Sequence, residues 1–116
     1  MPAIAVIDDD AAVCDSTRFL LEAYGLEVST FESGGDFLDA APDVDCIIVD
    51  YQMPGLTGLE FVEELRKRGR LVPSLMITAT TDPGVERRAA ELGISRVLKK
   101  PLSNRELLAA IRAEIG

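Results

Sequence analysis

Four short apolar runs in this chain each stop at a residue that can handle phosphate. Ile4-Ala5-Val6-Ile7 meets Asp8-Asp9-Asp10, and Cys46-Ile47-Ile48-Val49 meets Asp50. Ser74-Leu75-Met76-Ile77 meets Thr78, and Arg96-Val97-Leu98 meets Lys99-Lys100-Pro101. Runs this short, bounded by turn signals, read as strands buried on both faces of a parallel sheet. Ligands of such sheets bind beyond the carboxyl ends of the strands. Several carboxylates, a hydroxyl and an ammonium should therefore converge at one sheet edge. That set suits a divalent cation and a phosphoryl group.

Helical signals lie between the runs. Residues 11–24 place Val13, Thr17, Leu20 or Leu21, and Tyr24 on one stripe, closed by Gly25. A further strand covers about 26–31, and Ser33-x-x-Asp36 opens a short helix that Pro42 stops. Thr57-x-x-Glu60 opens a third helix carrying Leu59, Phe61, Val62 and Leu65 and ending near Gly69. Asp82-Pro83 is an N-cap followed by a proline at the first helical position, and Gly93 ends that fourth helix. Ser103-x-x-Glu106 opens a last helix with Leu108, Ile111 and Ile115 facing inward. Strand and helix thus alternate five times. The expectation is one α/β domain spanning residues 1–116, a doubly wound (βα)5 parallel sheet of order 2-1-3-4-5 with right-handed crossovers. That order sets the first and third strands side by side, so Asp8, Asp9 and Asp50 meet.

The bulk numbers narrow the function. With 116 residues and 47% hydrophobic content the chain can bury a core without staples. No run approaches the roughly 20 apolar residues of a membrane helix. Met1-Pro2-Ala3 leads straight into a strand, so no signal peptide is expected. Cys14 and Cys46 read as small buried hydrophobes in a reducing, cytoplasmic setting. A net charge of −8 argues against direct nucleic-acid binding by this domain. The charge is uneven: residues 1–65 hold 15 acids and one base, and residues 66–116 hold 5 acids and 11 bases.

Carboxylates packed closely repel, and a hard cation relieves them. Mg²⁺ takes one or two carboxylates, waters and phosphate oxygens. Asp8 or Asp9, or both, and Asp50 supply carboxylates, and a backbone carbonyl near Gln52 adds another oxygen. Asp10 reads instead as the N-cap of the first helix. Met53-Pro54-Gly55 breaks regular structure directly after Asp50 and leaves that carboxylate on a tight loop. There it can act as a nucleophile toward phosphorus, or serve simply as a third metal ligand. Thr78 can bond a phosphoryl oxygen, though threonine is common at strand ends. Lys99 and Lys100 point to opposite sides of their strand, so one of them faces the site. The bond before Pro101 is the place for a cis peptide.

Together these residues resemble the receiver domain of two-component response regulators. The order Asp8-Asp9, Asp50-x-x-Met-Pro-Gly, Thr78-Ala79, Lys100-Pro101 carries the resemblance across essentially the whole chain. The "VIDDD" opening and "FLDAAPDVD" stretch look most like FixJ-type receivers. The resemblance implies a CheY-like (flavodoxin-like) fold and a phosphoacceptor role rather than an enzyme acting on a separate substrate. Asp50 would take a phosphoryl group from a sensor histidine kinase or a phosphotransfer protein. Asp8, Asp9, Asp50 and the Gln52 carbonyl would hold Mg²⁺. Thr78 would be the switch hydroxyl, Lys100 the lysine at the site before a cis Pro101, and Lys99 would point away. Gln52 and Thr80 would tune dephosphorylation. The face of helix four, strand five and helix five would carry the output, with mixed charge suited to a homodimer.

Two positions depart from the family pattern. Val97 stands where an aromatic often flips inward, and Leu102 follows Pro101 where phenylalanine is frequent. Other readings fit less well. A haloacid dehalogenase-like phosphohydrolase needs Asp-x-Asp after the first strand and a cap domain. A flavodoxin-like redox module needs a hydroxyl- and glycine-rich phosphate loop where this chain has three aspartates. A phosphate-independent receiver would not need all five functional side chains. Within the receiver class, a stand-alone docking protein and the receiver part of a DNA-binding regulator both remain open, Gly116 closing the last helix where a linker would begin.

Overall fold

The computed structural model describes residues 1–116 as five strands alternating with five helices. The strands are β1 (Ala3–Ile7), β2 (Glu27–Phe31), β3 (Cys46–Asp50), β4 (Ser74–Thr78) and β5 (Arg96–Lys99). The helices are α1 (Ala11–Ala23), α2 (Gly34–Ala40), α3 (Gly58–Lys67), α4 (Pro83–Glu91) and α5 (Asn104–Ile115). All pairings are parallel in the order β2-β1-β3-β4-β5, as the sequence predicts.

Alternation along each strand divides the core into two layers. Ala5, Ile7, Ile47, Val49 and Met76 pack with Phe37, Phe61, Val62, Leu65, Val85 and Ala89 of α2, α3 and α4. Ile4, Val6, Cys46, Ile48 and Leu75 pack with Cys14 and Leu21 of α1 and with Leu107, Leu108 and Ile111 of α5. Phe37 meets Phe31 and Phe61 edge-on, with ring centroids 5.3 and 5.5 Å away. Each helix begins where the sequence places a cap: Asp10, Ser33, Thr57, Asp82 and Ser103 all accept backbone N–H bonds. Thr57 and Glu60 form a full capping box.

The α1 stripe differs from the expected one. Val13 and Tyr24 are exposed, and the inward positions are Cys14 and Leu21 with Thr17 and Arg18 half-buried. The cap sets this rotation. Asp10 Oδ1 accepts the Ala12 and Val13 N–H groups, and Cys14 N–H donates to the Asp10 carbonyl at 3.0 Å. That turns position 14 onto the end of β1, where Cys14 Sγ donates to the Asp8 carbonyl at 3.3 Å. The Tyr24 ring lies beneath the Arg112 guanidinium, 5.6 Å away.

Two arginines fasten the opposite end of the sheet. Arg66 donates to the carbonyls of Leu92 (2.8 Å), Arg70 (3.0 Å), Val72 (3.3 Å) and Gly93 (3.4 Å). Arg70 donates to the Pro42 carbonyl at 2.7 Å and stacks over Phe37.

α3 starts where backbone meets backbone. A Cβ at Gly58 would stand 2.9 Å from the Asp50 carbonyl oxygen, 3.0 Å from Tyr51 Cα and 3.2 Å from Met76 Sδ. Gly58→Ala must therefore displace the strand end that carries Asp50, at a loss of about 1–3 kcal/mol in a urea melt. At Gly35 the nearest atom to an added Cβ is Ser33 Oγ at 3.8 Å. Gly35→Ala is expected to be neutral or stabilising by up to about 1 kcal/mol. Equal losses at both positions would refute the close-approach argument.

Candidate functional site

The carboxyl ends of β1, β3, β4 and β5 meet at one edge of the sheet. Asp8 directly follows β1, and its N–H donates to the Phe31 carbonyl at 3.0 Å, extending the ladder one residue past the strand. Asp50 closes β3. Tyr51 N–H still reaches the Ile77 carbonyl at 2.9 Å, and Met53 is buried in the core beneath. Gly55 then turns the chain at φ +80°, and Thr57 caps α3. The Asp50 side chain is left at the strand tip.

Asp8, Asp9 and Asp50 each bring a carboxylate oxygen to within 4.8 Å of the others. Asp8 and Asp50 are buried and Asp9 is exposed. Burial pushes the Asp8 carboxyl above its usual range; the charges of Asp50 and Asp9 push the same way, against the Asp10 N–H bond and Lys100. Asp8 Oδ1 accepts that Asp10 N–H at 2.9 Å. Asp10 itself is occupied in capping α1.

The Lys100 ammonium lies 3.3 Å from Asp50 Oδ1, an ion-pair distance, yet it is not aligned for a hydrogen bond. Asp50 Oδ1 is therefore a buried carboxylate oxygen with no donor. A buried oxygen of this kind is costly unless something cationic meets it. The residues fit a hard divalent ion: three clustered carboxylates, one of them lacking a donor and one with its pKa raised by burial and by its acidic neighbours. Gln52 is exposed on the loop, and its carbonyl accepts no backbone bond.

Thr78, at the tip of β4, is 1% exposed, and its Oγ1 accepts the Thr80 N–H at 3.0 Å. Thr80 Oγ1 accepts the Asp82 N–H at 3.2 Å, and Asp82 caps α4. The two adjacent lysines part company. Lys100 reaches Asp50, while Lys99 donates to the Thr80 carbonyl at 2.7 Å and pairs with Glu86 at 2.9 Å. Val97 is half-buried against the α2–α3–α4 layer. The Lys100–Pro101 bond is cis.

Two features escaped the sequence reading. Cys14 ties α1 to the Asp8 carbonyl, and Lys99 bridges the β4–α4 loop to α4. Strand alternation says that one lysine faces away, but not what it meets. A groove of about 600 Å³ also opens beside the site. Asp8 and Lys100 stand in its lining with Leu20, Leu102 and Leu107, and Phe19, also in the lining, is 80% exposed.

The geometry agrees with what the chain is similar to. The family described as "Response regulator receiver domain" matches residues 4–112. The transcriptional regulatory protein FixJ of Azorhizobium caulinodans is 41% identical over 115 residues, covering 97% of this chain and 54% of FixJ. The transcriptional regulatory protein TdiR of Thauera aromatica is 36% identical over 117 residues, covering 97% and 51%. The chain thus spans about half the length of these relatives. The structure of Vibrio cholerae chemotaxis protein CheY4 matches at a TM-score of 0.91 and 30% identity, over 98% of each chain. The chain belongs to the response regulator receiver domain family of two-component signalling, with a CheY-like fold and a sequence similar to FixJ-type receivers.

Proposed function

We propose that Asp50 is the phosphoacceptor and that a sensor histidine kinase or phosphotransfer protein supplies the phosphoryl group from a phosphohistidine. The observation that carries this reading is the donorless, buried Asp50 Oδ1 beside Lys100 inside a three-carboxylate cluster. An Asp50 carboxylate oxygen forms a bond to phosphorus as the phosphorus–nitrogen bond breaks, and the electron pair leaves with the imidazole. The product is an acyl phosphate on the chain itself, so the domain is consumed as substrate rather than turning over another one. Asp8, Asp9, Asp50 and the Gln52 carbonyl would hold Mg²⁺, which when bound neutralises charge on the transferring group. Lys100 pairs with a phosphoryl oxygen. Thr78 gives up the Thr80 N–H to bond another. Gln52 and Thr80, at the mouth of the site, set how readily water reaches the acyl phosphate. The groove beside Asp8 and Lys100 gives the phosphodonor partner its approach.

Output then follows from the β4–α4 loop to the α4–β5–α5 face, which also serves as a homodimer surface. The added charge and the two new bonds exist only in the phosphorylated state, which is the condition for a population shift. FixJ and TdiR are both transcriptional regulatory proteins of about twice this length, which supports transcriptional output as the first reading. A stand-alone docking receiver is the second reading, favoured by the end-to-end match to CheY4. No helix is long and apolar enough to cross a membrane. We assign the domain to the cytoplasm, the reducing setting that suits its two free, buried cysteines.

Intact-mass measurement after incubation with acetyl phosphate tests the reading. One phosphoryl group should add to the wild type in Mg²⁺, and none to Asp50→Asn or without Mg²⁺. Incorporation into Asp50→Asn at the wild-type rate would refute the nucleophile. Asp8 supplies a second test, through its raised pKa. The folded chain holds that proton more tightly than the unfolded one. The stabilisation is thus present at low pH and lost as pH rises through the folded value. Without metal, Asp8→Asn should raise the neutral-pH melting temperature. It should also weaken Mg²⁺ binding by at least about tenfold, the loss already typical of removing a partner to a ligand. A variant that melts lower and binds Mg²⁺ normally would overturn both expectations.

A further inference from the structure

Lys99 is unused by the phosphoacceptor chemistry, yet it is bonded on two sides. Across the β4–β5 ladder its register partner is Thr78, the residue whose hydroxyl serves the site. Thr80 lies between them and is held twice. Its N–H donates to Thr78 Oγ1 at 3.0 Å, and its carbonyl accepts from Lys99 Nζ at 2.7 Å. Glu86 of α4 completes the contact at 2.9 Å. The carbonyl bond is part-buried and charge-assisted, which makes it the stronger element. The Glu86 pair is largely exposed, contributes little alone, and orients the ammonium.

The Thr78–Thr80 bond directs the hydroxyl along its own strand onto the loop, whereas Asp50 sits on the neighbouring strand. Reaching Asp50 breaks that bond and frees Thr80 on its N–H side. The Thr80 carbonyl then stays with Lys99 only if the loop stays where it is. Val97 lies two residues before Lys99 on the same face of β5, half-buried against the core, with no polar group to sense the loop.

We propose that Lys99 is the positioning residue of the β4–α4 loop. Its ammonium latches residues 79–82 to α4 in the resting chain, and the latch opens at Thr80 when Thr78 turns to phosphorylated Asp50. Opening leaves the Lys99–Glu86 ion pair on the α4–β5 face without its Thr80 acceptor, so the β5 half of the switch is ionic rather than aromatic. This deepens the phosphoacceptor reading and rests on it.

The test is a beryllofluoride titration in saturating Mg²⁺ followed by fluorine NMR. It uses wild type, Asp50→Asn, Lys99→Met and Lys99→Arg, with amide exchange at Thr80 as a second readout. Releasing the latch lifts the resting penalty on the active form, so Lys99→Met should bind about three- to tenfold tighter. Its Thr80 amide should also exchange faster without ligand. Lys99→Arg, which keeps a cationic donor, should behave as wild type. Loss of a nearby cation would by itself weaken binding of an anion, so the sign of the change separates a latch from bulk electrostatics. Lys99→Gln, with a neutral donor, serves in place of Lys99→Met should that variant fail to fold, and should fall between. Equal or weaker binding by the variant lacking the ammonium overturns the latch alone, provided wild-type binding requires Asp50. Absence of Asp50-dependent binding and phosphorylation in the wild type overturns the phosphoacceptor reading and the latch with it.

Discussion

All five residues of β3 are buried, and β1 is buried beyond its first residue. Charge therefore has no place along the middle of this sheet, where an unpaired ion would be penalised by several kcal/mol. It can stand only where a strand ends. Because every pairing is parallel, all five strands end on the same side. The apolar middle thus concentrates polar chemistry at one edge without any residue being dedicated to that purpose. Register does the rest: Asp50 lies level with Ile77, and Thr78 lies level with Lys99. A slip of one residue would exchange the faces of a strand and send its terminal side chain into the opposite helix layer.

The edge so formed is electrostatically unfinished. Asp10 is satisfied by α1, and Asp8 is partly satisfied by the Asp10 N–H. Asp50 has a neighbouring ammonium but no aligned donor. Demand for positive charge is thus greatest at Asp50. The ordinary capping duties of the aspartate run absorb Asp10 and leave its neighbours to the site.

Much of this could be read from the residues, because the signals were local. Capping pairs such as Thr57 and Glu60 and the Asp82-Pro83 start fix helix ends within a few residues of sequence. Strand order followed from alternation and chirality rules, and the convergence of Asp8, Asp50, Thr78 and Lys100 followed from strand order. What stayed hidden depended on rotation or distance. The α1 stripe was misjudged because Val13 and Tyr24 outrank Cys14 in bulk, while the Asp10 cap decides which of them turns inward. Arg66 gave no signal because its partners are backbone carbonyls up to 27 residues away. Alternation along β5 turns one of the two lysines away, but Thr80 as the acceptor of Lys99 requires the loop's path.

Arg66 has a mechanical meaning. Its guanidinium holds the carbonyls of Leu92 and Gly93, directly beyond the C-terminus of α4, to the end of α3 and the start of β4. The other end of α4 hangs from the loop that Thr78 and Lys99 hold. A helix clamped at one end and carried by a hinged support at the other is a cantilever. A displacement imposed at Asp82 would fall toward zero near Leu92, so α4 would swing rather than slide. Any such movement would be largest in its first turn, at Glu86, and smallest at Glu91, so a partner that reads this helix would have to grip its first turn.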